Sequence, residues 1–332
     1  MNCKLRFLFD TVIGKLTAVP VAFFGMAVGT LALSQAWLVA ERIWPSAIKP
    51  SRWFGVLGLL IWAVLLLAYV SKWCWRRNAA LAEMRDPLSS SLAALGPVST
   101  MLASVALLFW SRQAGMVLWL SGLIWQVALG LWVYGRFWKG GHAPTSVTAA
   151  VYLPAVAQNL VAGMSSAAFG WSQLGVLFFG AGMFSWLALE SMILSRAATH
   201  TPLPEAQRPL LGIQVAPAVV AGVCYTSLRL EAADFFVQML LGYGLYQAGL
   251  ALRLLPWIWR DTFSPSYWSF SFGVAALANL ALRLHERSPS TVTAVLAPLT
   301  LVGASLVIGG LLLGTLHLTW QGRLLPSAGV IP

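Results

Sequence analysis

Runs of about twenty apolar residues recur from Pro20 to Leu316, and each is long enough as a helix to cross a hydrocarbon core of ~30 Å. Few folds accommodate that pattern. A water-soluble domain carries about 25% charged residues, whereas this chain of 332 residues has 9%, alongside 59% hydrophobic residues and a mean hydropathy of +0.77. An outer-membrane barrel would show stretches of ~10 residues alternating apolar with polar, and the apolar runs here are continuous. The chain is therefore expected to be an all-α polytopic membrane protein.

Ten transmembrane helices are expected, over 20–39, 54–73, 91–110, 115–134, 151–169, 174–194, 210–227, 235–255, 267–284 and 292–316. An even number puts both termini on one side. With the termini cytoplasmic, 14 Lys and Arg fall inside and 7 outside, the orientation that the positive-inside rule favours. This gives a cytoplasmic leader at 1–19, a transmembrane domain at 20–316 and a cytoplasmic tail at 317–332. Asp10 and Lys15 interrupt any apolar core in the leader, which argues against a signal peptide. The net charge of +11 sits singly or in pairs at the ends of apolar runs, as membrane topology requires, and does not point to nucleic acid.

The turns near Ser111 and Trp171 are too short for anything except antiparallel neighbours, so the spans read as five helical hairpins in series. The first member of each hairpin carries a proline or a small-residue cluster: Pro20 with Gly25 and Gly29, then Pro97, Pro154, Pro217, and Ser269, Ser271 and Gly273 in the ninth span. Even spans such as Leu57 to Leu67 are smoother and richer in Leu and Trp. A proline at membrane depth frees a carbonyl that only protein or water can satisfy. The odd spans are therefore expected to surround a central pore, in a weak repeat of about 60 residues. The ninth span opens with Phe270 and Phe272 among hydroxyls and a glycine.

Ionisable groups at membrane depth are scarce. Glu190 is the one carboxylate within an apolar run, readable as a proton-coupling site or as a structural partner of Arg196. His317 reads as interfacial, and His142, His200 and His285 as loop residues. Cys3, Cys74 and Cys224 have no metal-ligand spacing and read as free thiols. With no acidic motif, no His/Cys cluster and no nucleophile set, neither catalysis nor a metal or cofactor is expected. The amides Gln158, Asn159, Gln214 and Asn279 either line a wet path or bond neighbouring helices. Gly25 with Gly29, and Gly310 with Gly314, form small-residue pairs suited to close helix contact.

Several stretches resemble the tellurite-resistance/dicarboxylate transporter family in its bacterial TehA branch, which is related to the plant guard-cell slow anion channels. They are Phe24-Gly-Met-Ala-Val-Gly29, Tyr152-Leu-Pro-Ala-Val-Ala157 with Asn159, Phe179 to Trp186, Gly212 to Pro217, Gly242-Tyr-Gly244, Leu252 to Trp257 and Trp268 to Gly273. The resemblance implies a homotrimer in the bacterial inner membrane, each protomer having its own pore. It also implies that Phe272 is the gate and that Gly25 is a wall position facing it. Two positions depart from the family pattern: Glu190-Ser191 stands for Glu-Pro, and Gln158-Asn159 for Asn-Asn. The expected lining is Phe24, Gly25, Gly29, Pro97, Pro154, Asn159, Gln214, Pro217, Ser269, Gly273 and Asn279.

The expected function is a gated channel or channel-like exporter for small anions, tellurite among them, with the lipid bilayer as its other partner. The alternative is a proton-coupled carrier of C4-dicarboxylates or sulfite that uses Glu190. Against it, Arg253 and Arg283 lie close to span ends, leaving no arginine deep in a span to grip a carboxylate bidentately.

Overall fold

The computed structural model describes residues 14, 16–45, 48–141, 147–229, 234–259 and 263–325. Lys4, Arg6, Asp10, Lys15, Cys3, His142 and Arg260 lie outside them, with most of the expected leader and the end of the tail. Among the described residues every regular element is helical. The helices are α1 (Phe24–Ile43), α2 (Pro50–Trp75), α3 (Arg77–Arg85), α4 (Pro87–Leu92), α5 (Leu95–Ala106), α6 (Arg112–Trp138), α7 (Gln158–Ala168), α8 (Ser172–Thr199), α9 (Ala216–Leu228), α10 (Phe235–Ile258), α11 (Ser269–Arg287) and α12 (Thr291–Trp320). Tight turns precede α1, α7, α9 and α11, and a π-helical turn at Leu153–Ala157 carries Pro154.

Among the described residues, eight helices are long and apolar enough to cross a membrane, against the ten expected. The fifth and ninth expected spans account for the difference. In the fifth, the continuous helix α7 has 11 residues, because the π-turn at Pro154 breaks its start. In the ninth, α11 runs on to Arg287 and so takes in Arg283, His285 and Glu286. His285 is thus helical and not in a loop, and its Nδ1 lies 3.2 Å from the Thr293 hydroxyl.

Burial divides the helices into two sets. The apolar windows of α1, of α4 with α5, and of the Glu205–Leu228 segment are 72–78% buried, whereas those of α2, α6, α8, α10 and α12 are 22–28% buried. α7 and α11 are buried along most of their lengths. The buried set closes a ring: α1 touches α5, α5 touches α7, α7 touches α9, α9 touches α11, and α11 returns to α1. Each exposed helix lies on the buried one before it: α2 on α1, α6 on α5, α8 on α7, α10 on α9 and α12 on α11. Leucines such as Leu60, Leu131, Leu177, Leu252 and Leu306 cover the outside, a surface suited to lipid and not to water.

Four of these contacts share one device. Gly58, Gly122, Gly182 and Gly244 sit where a Cβ would come within 2.7 Å of Leu31, 2.9 Å of Met101, 2.8 Å of Leu160 and 2.1 Å of Val219, respectively. The outer helix presents a bare backbone to a large inner side chain, at intervals of about 60 residues. In α12 the small residues buried in this way are Ala297 and Ala304. Gly25 and Gly29 face Trp268 and Ser271 of the neighbouring inner segment. Within the chain Gly310 faces open space, and Gly314 abuts the Phe263 ring.

Indole hydrogen bonds span further seams. Trp37 Nε1 donates to the Ser305 hydroxyl at 3.2 Å, Trp62 Nε1 to Thr100 at 3.1 Å, and Trp268 Nε1 to Thr315 at 2.9 Å. At one end, buried Lys72 donates to both oxygens of Glu83 at 2.9 Å and to the Val19 carbonyl at 2.6 Å. At the other, Arg42 and Glu286 pair through two bonds of 2.6 and 3.0 Å.

Candidate functional site

The ring encloses two spaces on one axis. The larger, about 160 Å³, is bounded by the first turns of all five inner helices, with Gly25, Leu95, Leu160, Pro217 and Ser271 among its walls. Leu88, Leu153, Val156, Leu210 and Ile213 make it chiefly aliphatic. The smaller, about 10 Å³, lies further along the same helices, between Gln35, Leu102, Met164, Val223, Ala276 and Asn279. It has room for about one water. In every helix the residue numbers rise from the larger space to the smaller, so the five inner helices run parallel. Their N-terminal ends converge on the larger space, and the partial positive charge of those ends favours an anion there.

Phe272 and Val220 are the residues that line both spaces. Phe272 is 7% exposed and stands between them like a partition. From it a stripe runs down α11 at helical spacing: Phe272, Ala276, Asn279, Arg283. Arg283 Nε donates to Asn279 Oδ1 at 2.7 Å. Phe270 projects elsewhere, its ring lying over Gly212, where a Cβ would come within 2.5 Å.

A third pocket, about 310 Å³, opens at the starting end and shares Leu88 and Gln207 with the larger space. Asp86, Thr148 and the buried Arg196 line it, and Arg196 Nε has no hydrogen-bond partner. Glu190 does not pair with this arginine. Its Oε2 accepts from Tyr152 at 2.5 Å and Trp186 at 2.7 Å, and its Oε1 from Tyr243 at 2.6 Å and Gln247 at 3.5 Å. One carboxylate thus ties α8 and α10 to Tyr152, a residue of the larger cavity wall.

Of the expected lining residues, Gly25, Pro217 and Ser269 border the larger space and Asn279 the smaller. The others lie off both. Phe24 packs outward, its ring 6.0 Å from Tyr69 and 6.3 Å from Trp125, since consecutive helical residues point about 100° apart and Gly25 takes the inward direction. Gly29 and Gly273 are occupied by close contacts with Ser271 and Val215. Pro97 and Pro154 are buried away from the axis. Asn159 Nδ2 is bonded to the Ala155 carbonyl at 2.7 Å, and Gln214 is half-buried with its Oε1 unpaired. Ser269 donates its hydroxyl to the Pro209 carbonyl. Sequence reasoning missed the aliphatic wall, Gln35 and the alignment of Arg283. The i, i+4, i+7, i+11 series from Phe272 would have found the last.

A profile of the SLAC1 family, described as voltage-dependent anion channel, matches residues 18–316. Over 305 residues the chain is 33% identical to the tellurite resistance protein TehA homolog of Haemophilus influenzae, covering 92% of each chain. The S-type anion channels SLAH2 and SLAH3 of Arabidopsis thaliana are 22% and 21% identical, over 94% and 90% of this chain and 62% and 48% of theirs.

Proposed function

The chain belongs to the voltage-dependent anion channel family and is a multi-pass membrane protein, and from that premise we propose that it is a gated channel for small inorganic anions with Phe272 as its plug. The observation that carries this reading is the partition: Phe272 stands between two spaces enclosed by one ring of five parallel helices. In this reading all ten helical segments cross a bacterial inner membrane as five hairpins, with the leader and tail cytoplasmic. α7 and α11 cross despite their breaks and charges because protein surrounds them. The path lies within one chain, which suits a homotrimer of independent pores. Tellurite enters only through the name of one relative, and we take it as one candidate among small anions.

Phe272→Ala joins the two spaces and should raise chloride or nitrate current severalfold in planar bilayers. An alanine protein as silent as the parent sinks the plug assignment. The proton-coupled carrier finds less support, because the Glu190 carboxylate already accepts from Tyr152, Trp186, Tyr243 and Gln247 and holds no free face toward a substrate.

A further inference from the structure

We propose that Arg283, Asn279 and Gln35 form a binding site for a small monovalent anion on the far side of Phe272. The proposal deepens the channel reading and rests on it.

Two residues of the smaller space, and Arg283 bonded to one of them, carry it. First, Gln35 Nε2 is buried there without a hydrogen-bond partner. An unmade bond of that kind is costly in a buried site and calls for an explanation. Second, Asn279 turns its Oδ1 to Arg283, so what it can offer the space is its amide N–H₂. Third, the Arg283 guanidinium spends one N–H on Asn279 and forms no ion pair among the described residues. The nearest carboxylate on its helix, Glu286, is held through both oxygens by Arg42. The Gln35 Nε2 and the Asn279 amide N–H₂ are therefore donors with positive charge behind them, which suits an anion.

The helix dipoles explain why the charge is needed here. The larger space collects the positive N-terminal ends of the inner helices, whereas the far end of the path meets their negative C-terminal ends. An anion passing Phe272 would move from a favourable field into an unfavourable one. Arg283, one turn beyond Asn279, offsets that field at the point where it begins to oppose passage. Arg42 and Arg287 stand behind it, and the acid on the same helix, Glu286, is paired with Arg42.

The test uses purified full-length protein in the Phe272→Ala background, with chloride as probe and gluconate as its replacement at constant ionic strength. Binding is read as the rise in Tm with chloride, and conduction as bilayer current. Arg283→Gln should abolish the chloride-dependent rise and weaken the half-saturating concentration for current by about tenfold. Arg283→Lys should retain part of both. Gln35→Leu is the second variant, should Arg283→Gln fail to fold, and should weaken chloride binding in the same direction. An unchanged chloride-dependent Tm rise in Arg283→Gln, or in Gln35→Leu where the first does not fold, overturns the site. If Phe272→Ala passes no current but keeps an Arg283-dependent Tm rise, the site stands and the channel reading falls.

Discussion

Glu190 and Asp234 show how single carboxylates hold this architecture together. Glu190 accepts from three helical segments at once, and a hydrogen bond to a charged group contributes about 1.5–3 kcal/mol. Glu190→Gln replaces one acceptor oxygen by a donor that faces donors. The expected outcome is a Tm in detergent lower by several degrees, with anion flux showing no new pH dependence; a pH-uncoupled flux would revive the carrier. Asp234 caps α10 through the Val237 N–H and accepts from the Tyr225 hydroxyl. That hydroxyl, then the Val237 N–H and the charge of Arg229, hold its carboxyl below the usual carboxylate range. A depressed folded value contributes stability above the ordinary value of about 4, which is lost as pH falls through the folded value. Unfolding of the parent should therefore become easier below about pH 4, and Asp234→Asn, itself a good cap, should flatten that dependence.

At the scale of the helix, the glycine–large-residue contacts between inner and outer helices are the testable unit. Gly182→Leu drives a side chain into Leu160, and forcing extra volume into a packed contact costs about 1–3 kcal/mol. Separation of α8 from α7 should appear as faster proteolysis of the loop between them in detergent. An unaffected protein would mean that the contact is slack. This level was partly legible in the sequence. The alternation of proline-bearing and smooth runs separates the buried helices from the exposed ones, because a broken helix needs protein around its free carbonyls. What alternation could not supply was which residue of each inner helix faces the axis. Phe24 and Gly25 share a motif but point about 100° apart, and the amides of Gln158 and Asn159 donate to the Ala94 and Ala155 carbonyls, with Gln158 Oε1 left unpaired. In the sequence Arg283 stands near a span end, and its register with Phe272 becomes visible only on the helix.

Over the whole molecule, the five parallel inner helices set up a field along one axis: positive helix ends at the wide space, a basic cluster at the far end, and an aromatic partition between them. In the sequence Phe272 is a bulky residue among small ones. Its position between two enclosed spaces is the observation on which the proposed plug rests. Phe270 provides the control, since it sits two residues away on the same helix and packs over Gly212 instead. The most direct measurement compares bilayer chloride currents of the parent, Phe272→Ala and Phe270→Ala at equal reconstituted protein. The account predicts current well above the parent for Phe272→Ala and none above it for Phe270→Ala. Equal currents from both variants, or silence from Phe272→Ala, would contradict it.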